Sequence, residues 1–407
     1  MDSYIKDLIF SLHENQPLMV QQLHQFCEIN SGSDNLAGLQ QIQQVLANAF
    51  QPLADEIETI ELPAVNTVTM DGNIATLTCG NALFIRKRPN LKRRILLAGH
   101  MDTVFPSHHP FQKLAWINEN TINGPGVADM KGGLIVMLHA LLAFEQTEYA
   151  NLIGWDVLIN ADEEIGSPAS GSLFNELAPN YQAGLLYEPA MDSQGTLAKN
   201  RKGSGKFTLV ATGKASHAGR AFYEGRNAIC YLAEAILAIH ALNGKREGVT
   251  INVGKVAGGT ALNIVPDNAV VKLDVRIDNP ADEAWVISEL NQIMQNLKRA
   301  DYSLELHGKF GRPVKRISQG TNQLYQRVKL IGQTLGLNID WRDSGGCCDG
   351  NNLAAQGLPV LDTLGVRGGN IHSQDEFIKI DSLVERASLS TLILMDLAQK
   401  GLEELKL

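Results

Sequence analysis

Several histidine and carboxylate side chains follow apolar stretches of the chain, at the points where buried strands are expected to end. Charged groups beside apolar segments are costly unless they are paired or bind a metal ion. Imidazole and carboxylate groups, without a set of well-spaced cysteines, suit zinc, cobalt or manganese. The sequence therefore predicts a metal site built from some of these residues: His100, Asp102, Asp129, Asp162, Glu163, Glu164, Glu188 and His372.

Each of these residues, taken alone, has a simpler interpretation. A histidine at a strand end can be a hydrogen-bonded structural residue, and an acidic pair before a turn can be solvated or cap a helix. The joint pattern favours a metal site, because the apolar segments should converge on one edge of a sheet. In the His100–x–Asp102 pair the two side chains share a face of an extended chain, so Asp102 can orient the imidazole.

The helices and strands that must position these residues follow two different patterns along the chain. Residues before Arg201 alternate helix-like and strand-like stretches, which is typical of an α/β sheet with helices on both faces. After Arg201, KFTLVATG alternates with period two and opens a β-α-β-β-α-β series. We therefore expect an α/β domain, residues 1–200 and 312–407, interrupted by an inserted α+β ferredoxin-like domain, residues 201–311.

Composition narrows the class of protein. The 407 residues are 44% apolar and 19% charged, with a net charge of −9, as in globular proteins. No dense basic stripe favours nucleic acid, and no apolar run reaches the roughly 18 residues that span a bilayer. The N-terminus lacks the pattern of a signal peptide, and five cysteines without ladder-like spacing indicate reduced thiols. We expect a cytoplasmic protein with no membrane or nucleic-acid partner.

The motifs resemble those of the dizinc amidohydrolases, the family of glutamate carboxypeptidase, acetylornithine deacetylase, succinyl-diaminopimelate desuccinylase and aminoacylase. The resemblance covers nearly the whole chain, including the insertion point. The successive spacings, from His100 to Asp129 (29), from Asp129 to Glu164 (35) and from Glu164 to Glu188 (24), resemble the glutamate carboxypeptidase branch. The motifs are GHMDTVFP, GPGVADMKGG, NADEEIGS, LYEP, KASHAG, ALNIVPD, DVRID, GRP and NIHSQDEF.

This resemblance implies that residues 1–200 and 312–407 form a mixed-sheet zinc-peptidase catalytic domain with two divalent metal ions, most often zinc. It assigns one ion to His100 and Glu188, the other to Glu164 and His372, and makes Asp129 the bridge. Glu163 would be the general base that takes a proton from a water molecule bridging the metals and gives it to the leaving amine. Asp102 would orient a ligand without binding metal, and the Asp129–Met130 peptide bond would be cis.

The resemblance also implies a homodimer in which the inserted domain serves as lid and dimerisation domain. His217 would act on the partner's site and stabilise the tetrahedral oxyanion. Arg312 would bind the substrate's C-terminal carboxylate as a fork, and Asn263 and Arg276 would reach toward the active site. Judged without the resemblance, His217 fits a turn before a helix, and Arg276 fits a surface charge on a strand equally well.

Two features bear on the substrate. Glu188, in place of an aspartate or histidine, favours carboxypeptidase or deacylase chemistry within the family. The loop SGGCCDG departs from the family pattern at Cys347 and Cys348, which we interpret as packing or pocket-lining residues. The expected function is release of a glutamate-like C-terminal amino acid from an N-acyl amino acid or small peptide. An N-acyl amino acid deacylase and an inactive binding scaffold are the alternatives.

Overall fold

The computed structural model describes residues 3–401, and the chain divides into two compact units. The first unit comprises Met1–Pro63, Cys79–Arg201 and Lys315–Leu407, and the second comprises Ala64–Thr78 and Lys202–Val314. Each unit has its own hydrophobic core.

The helices and strands are numbered here along the chain. The helices are α1 (Ser3–Glu14), α2 (Gln16–Cys27), α3 (Leu36–Phe50), α4 (Gly133–Phe144), α5 (Gly171–Leu177), α6 (Ala228–His240), α7 (Ala281–Leu297), α8 (Gln319–Thr334), α9 (Asp349–Ala355) and α10 (Asp381–Lys400). The strands are β1 (Glu56–Ile60), β2 (Val65–Val68), β3 (Ile74–Leu77), β4 (Ala82–Lys87), β5 (Arg94–His100), β6 (Ala115–Asn118), β7 (Thr121–Asn123), β8 (Gly154–Asn160), β9 (Ala183–Leu186), β10 (Leu197–Arg201), β11 (Gly203–Thr212), β12 (Ser216–His217), β13 (Thr250–Gly258), β14 (Ile264–Val265), β15 (Asn268–Ile277), β16 (Ser303–Arg312), β17 (Trp341–Ser344), β18 (Val360–Leu361), β19 (Gly368–Gly369) and β20 (Phe377–Lys379).

The first unit is built on a mixed six-stranded sheet with the order β1-β4-β8-β5-β9-β18. Strands β8, β5, β9 and β18 are parallel to one another. At one edge of the sheet, β4 pairs antiparallel with β8, and β1 pairs antiparallel with β4. Every residue of β5 and β8 is buried, which explains their nearly continuous apolar runs. Parallel strands place their carboxyl ends at one edge, so the segments after β5, β8 and β9 meet there.

The helix after the GPGVADMKGG loop is the most apolar in the described chain. The window Val127–Phe144 is long and apolar enough by composition to cross a membrane, although Asp129 and Lys131 interrupt its apolar run. In the structure 94% of this window is buried inside the protein. Within this window, α4 packs against α10 and β5, as a core helix does.

The second unit is a four-stranded antiparallel sheet with the order β13-β15-β11-β16, packed against α6 and α7. Its main elements follow the chain order β11-α6-β13-β15-α7-β16, which is a split βαβ arrangement. In β15 every second residue is buried over most of the strand, because one face of the sheet covers the helices. The α/β sheet of the first unit and this separate small sheet give the fold class that the sequence predicted in outline.

Three stretches lie outside the units in which the sequence pattern placed them: Arg201 belongs to the first unit, and residues 312–314 and the hairpin β2–β3 belong to the second. The hairpin β2–β3 falls within residues 1–200, yet Ala64–Thr78 belongs to the second unit. Val68 packs with Val210 and Val270, and its carbonyl oxygen accepts a hydrogen bond from Lys272 Nζ at 2.6 Å. These partners lie more than a hundred residues away along the chain, so local periodicity could not reveal them.

Candidate metal centre

Five of the predicted ligands meet at the carboxyl edge of the central sheet. His100 ends β5, Glu188 follows β9, Glu164 lies in the loop after β8, and Asp129 precedes α4. They form two groups that share Asp129, and within each group the candidate ligand atoms lie within 4.8 Å of one another. The groups, together called the candidate metal centre, are His100, Asp129 and Glu188, and Asp129, Glu164 and His372.

Asp129 lies between the two histidines. Its Oδ1 is 3.1 Å from Nε2 of His100, and its Oδ2 is 3.3 Å from Nε2 of His372. Glu188 Oε2 lies 3.9 Å from the same nitrogen of His100, and Glu164 Oε2 lies 3.1 Å from that of His372. The two carboxylate oxygens of Asp129 therefore serve different groups, as a carboxylate that bridges two cations must.

The loop that carries Asp129 is held by close backbone packing. A Cβ atom on Gly133 would lie 2.0 Å from the carbonyl oxygen of Tyr187, so only glycine lets α4 start against the segment that leads to Glu188. Gly126 has a φ of +69°, a conformation that glycine adopts without strain. The Asp129–Met130 peptide bond is cis, as the resemblance implied.

The protonation pattern shows that these side chains suit a cation. Burial raises the pKa of Glu188 well above its usual range, and burial together with the charge of Asp129 raises the pKa of Glu164 to about 8. Hydrogen bonds with Asp129 and Glu164 raise the pKa of His372 to about 10. These raised pKa values favour bound protons at positions that divalent cations can take. In addition, the buried Oε1 of Glu164 has no hydrogen-bond partner among residues 3–401.

His100 and Asp129 support each other electrostatically. Burial lowers the pKa of His100, but hydrogen bonds with Asp102 and Asp129 outweigh it, so the pKa lies well above its usual range. Burial raises the pKa of Asp129, but the hydrogen bonds of the two histidines outweigh it, so this pKa falls. Asp129 is therefore the acid of the centre that stays ionised most readily.

Asp102 organises the centre without joining either group of ligands. His100 Nδ1 lies 2.9 Å from the carbonyl oxygen of Asp102 and 3.4 Å from its Oδ1. The same carboxylate accepts the backbone N–H groups of Glu163 at 3.2 Å and Glu164 at 3.1 Å, and the hydroxyl of Ser33 at 2.7 Å. One buried carboxylate thus fixes both a ligand ring and the loop with the predicted base.

Glu163 lies in the same loop, within electrostatic reach of the centre. Its charge contributes to raising the pKa values of Glu164 and Glu188. Asp162 is placed differently: its carboxylate accepts the backbone N–H groups of Ala169 at 2.9 Å and Ser170 at 3.1 Å. Asp162 therefore stabilises the turn after the loop. The sequence counted it among the possible metal-site residues, but it belongs to neither group of candidate ligands.

The other predicted site residues belong to the second unit. His217 Nδ1 accepts the backbone N–H groups of Gly219 at 3.1 Å and Arg220 at 3.2 Å, which leaves Nε2 as the protonated nitrogen of the neutral ring. Asn263 is next to it, because its carbonyl oxygen accepts the N–H of Ala218 at 2.9 Å.

Arg276 and Arg312 lie at one end of the small sheet of the second unit. Both are register partners of Ser204, on the two strands that flank β11. Arg276 Nε donates to Asp274 at 2.7 Å, and Arg312 is buried. The second unit therefore presents two pairs of predicted residues, one pair around His217 and one around Ser204.

Sequence reasoning missed Glu376, a buried carboxylate in the NIHSQDEF motif. Its Oε1 accepts the N–H groups of Ala128 at 2.9 Å and Asp129 at 3.1 Å, and its Oε2 accepts that of Gly126 at 3.1 Å. Its position four residues after His372 was the available signal, but the backbone groups that it binds have no pattern in the sequence.

A mixed α/β sheet whose carboxyl edge gathers two histidines and three carboxylates defines a metal-dependent hydrolase. Residues 96–396 match the model of the peptidase family M20/M25/M40, and the chain belongs to this family. Its membership confirms the resemblance that the motifs indicated and makes the protein a metallo-hydrolase.

Particular relatives extend over most of the chain. Carboxypeptidase G2 from Pseudomonas sp. (strain RS-16) is 28% identical over 393 residues, which cover 94% of this chain and 90% of that protein. Succinyl-diaminopimelate desuccinylase from Psychrobacter sp. (strain PRwf-1) is 26% identical over 385 residues, covering 87% and 90%. The YXEP protein of Bacillus subtilis, a dinuclear metal-binding peptidase of the M20 family, has a similar fold. Its TM-score is 0.63 at 12% identity, over 96% of this chain and 99% of that one.

Proposed function

We propose that this protein hydrolyses an amide or peptide bond and releases a glutamate-like C-terminal amino acid from an N-acyl amino acid or small peptide. The observation that carries the proposal is the position of Asp129, whose two carboxylate oxygens face the Nε2 atoms of His100 and His372 at 3.1 and 3.3 Å. Such a shared carboxylate supports two adjacent cations in place of one. The similarity to carboxypeptidase G2 supports the type of product.

The donor set of the centre suits two divalent ions, zinc in the first place, with cobalt or manganese as substitutes. His100 and Glu188 would hold one ion, Glu164 and His372 the other, and Asp129 both. When bound, such a pair polarises the scissile carbonyl group and makes water acidic enough to attack near neutral pH.

The chain's own residues supply orientation and proton transfer. Asp102 fixes the ring of His100 so that its Nε2 points into the centre. The same carboxylate anchors the backbone of Glu163, whose side chain accepts the proton of the attacking water and passes it to the leaving amine. A base held through its backbone stays in place while its carboxylate shuttles the proton.

The second unit supplies groups for the developing oxyanion and for the substrate carboxylate. His217 carries its proton on Nε2 when neutral, so the ring can donate a hydrogen bond to the oxyanion in the site of the partner subunit. Arg312 would bind the C-terminal carboxylate as a planar fork, with Asn263 and Arg276 as further polar contacts.

A homodimer is part of this proposal. In the second unit, Leu237 on α6 is 71% exposed and Val256 on β13 is 55% exposed. Strand β13 lies at the edge of its sheet, where backbone groups are ready to pair with another chain. The face formed by α6 and β13 is the one that we assign to a second subunit. We also propose a cytoplasmic location, because none of the five cysteines, all within residues 3–401, forms a disulfide.

Metal content and product identity test the proposal together. We expect about two zinc equivalents per chain, and loss of activity on chelation that zinc restores. N-acyl-glutamates should release glutamate faster than acetylornithine releases acetate or succinyl-diaminopimelate releases succinate. The similarity to a desuccinylase favours deacylation as the second candidate, and a reversed order would establish it. A metal-loaded protein that hydrolyses none of these substrates would instead fit a binding scaffold.

A further inference from the structure

A buried charge cluster lies beside the candidate metal centre, made of Arg201, Lys315 and Asp362. Arg201 is 8% exposed and the other two are 1% exposed. Nε and Nη2 of Arg201 lie 2.6 and 3.0 Å from the two oxygens of Asp362, and Lys315 Nζ lies 3.1 Å from Oδ2. One carboxylate thus faces two cationic side chains. The three groups together carry one surplus positive charge, and a buried charge is stabilised by a nearby anion.

The strand register places this charge cluster at the catalytic edge of the sheet. Leu361 of β18 pairs with Leu185 of β9, so Asp362 is level with Leu186, two residues before Glu188. Burial raises the pKa of Glu188 and the charge of Arg201 acts against it, so the two side chains interact electrostatically. A ligand that contacts Arg201 is therefore close to the metal ligands.

Only one arm of the Arg201 guanidinium is left for a ligand. Asp362 occupies the Nε–Nη2 edge, whereas Nη1 has Ser344 Oγ at 3.4 Å, a long hydrogen bond. Gly345 and Gly346 next to it are exposed, and a Cβ on Gly346 would lie 3.7 Å from Nη1. A Cβ on Gly345 would meet nothing within 4 Å. The Nη1 arm thus lies below an exposed loop that has no side chains at these two positions.

Cys348 completes the support of Asp362. Its Sγ lies 3.2 Å from Oδ2 of Asp362, and burial raises the pKa of the thiol well above its usual range. The thiol therefore donates to the carboxylate without adding a negative charge that would balance the surplus. The cysteine that departs from the family pattern thus helps to hold Asp362, and through it the orientation of Arg201.

We propose that Nη1 of Arg201 binds a second carboxylate of the substrate, the side-chain acid of the released amino acid. This inference rests on the proposed function and makes the enzyme selective for substrates that end in an acidic residue. Arg201 acts as a fixed donor because Asp362 holds its other edge, and Lys315 leaves the charge cluster with the surplus that the substrate's carboxylate balances. A single free arm and a hydroxyl suit one carboxylate.

The decisive comparison uses N-acyl-glutamate and N-acyl-glutamine, which differ by one carboxylate. The wild-type kcat/KM should favour glutamate by about 10- to 100-fold, the range for a hydrogen bond between charged groups. Arg201→Lys keeps a cation for Asp362 but removes the Nη1 arm, so it should reduce that preference to about threefold or less. Equal loss on both substrates, as a contact with the α-carboxylate or a folding defect gives, would overturn the inference.

Arg327→Lys is the matched control. Arg327 Nε lies 2.6 Å from Asp396 in the same unit, so this change also removes a guanidinium from an aspartate pair. It should leave the glutamate preference unchanged. Ser344→Asp offers a second variant at the half-buried last residue of β17. Its carboxylate would occupy Nη1 and abolish the preference for glutamate, whereas Ser344→Asn should keep that preference.

Measurements of amino-acid binding distinguish a failure of this inference from a failure of the proposed function. In calorimetric titrations, free L-glutamate should bind the zinc-loaded wild-type protein at least about tenfold more tightly than L-glutamine, and Arg201→Lys should remove the difference. Selective binding without any hydrolysis would refute the proposed function alone. Hydrolysis with no preference in binding or in kcat/KM would refute the role of Arg201 alone.

Discussion

Glu376 accepts a hydrogen bond from the backbone N–H of Asp129 at 3.1 Å, which ties the loop after β19 to the loop that carries the acid shared by both candidate ligand groups. The carbonyl oxygen of Glu376 also accepts from Asn123 Nδ2 at 2.7 Å, at the start of the same loop. Both the side chain and the backbone of Glu376 thus hold the Asp129 loop. Since His372 lies four residues earlier, Glu376 couples the positions of these two candidate ligands, Asp129 and His372.

Replacement of Glu376 by glutamine should weaken metal binding. The amide NH₂ cannot accept a hydrogen bond, so either Gly126 N–H or the pair from Ala128 and Asp129 loses its acceptor. We expect zinc affinity to fall about 10- to 100-fold, as for other residues that orient metal ligands. Zinc titration with a competing chelator measures this change.

Asp375→Asn provides the control, because it makes the same chemical change at the exposed neighbouring position. It should leave zinc affinity unchanged. Unaltered zinc affinity in Glu376→Gln, with the fold intact, would show that the Asp129 loop keeps its position without this carboxylate.

The adjacent acids Glu163 and Glu164 should respond differently to the same substitution. Glu163→Gln should keep both metal ions and lower kcat by about 10²- to 10⁴-fold, because only proton transfer is lost. Glu164→Gln removes a carboxylate 3.1 Å from His372 Nε2 and should also lower the metal content. Metal analysis and steady-state kinetics on the same samples separate the two effects. Unchanged hydrolysis in Glu163→Gln would remove this residue from the mechanism.

The candidate ligands could be picked out from the sequence because their signal is local. His100 and Glu188 follow apolar strands, and parallel strands bring such ends together wherever each strand lies in the chain. Glu376 and Asp362 gave no such signal, since their partners are backbone groups and distant cations. A carboxylate that binds backbone N–H groups depends on loop geometry, which the periodicity of the sequence does not encode.

The role of Asp102 could be predicted from the sequence only in part. Its alternation with His100 predicted that it orients the ring, and the structure places both its carbonyl oxygen and its carboxylate beside Nδ1. Its bonds to the N–H groups of Glu163 and Glu164 were unforeseen, because they join segments about 60 residues apart. The hairpin at Ala64–Thr78 shows the same limit for domain boundaries.

Mixed dimers can test the action of His217 across subunits. Glu163→Gln and His217→Ala should each be nearly inactive alone. If His217 serves the partner's site, a mixed dimer combines one intact base with one intact histidine, and equal mixing should restore about a quarter of wild-type activity. If His217 serves its own subunit, every site keeps one defect and the mixture stays inactive. Activity after denaturation and joint refolding of the two variants is the measurement.

His139 on α4 should make the stability of the protein depend on pH. Burial lowers the pKa of His139 to about 4, whereas an unfolded histidine titrates near 6.5. Between these values the unfolded chain binds a proton that the folded protein does not, so stability falls as the pH decreases through this window. From pH 7.5 to 5.0 this one residue should cost about 2 kcal/mol of the free energy of unfolding.

The variant His139→Gln removes the titrating ring, so its loss of stability between pH 7.5 and 5.0 should be smaller than that of the wild type. Its partner is a side chain of α2, Gln22, whose Oε1 lies 2.7 Å from Nε2. His13→Gln, at an exposed position of α1, should leave the wild-type pH dependence intact. Urea unfolding midpoints at both pH values decide the matter, and equal pH dependence in all three proteins would show that His139 does not carry this effect.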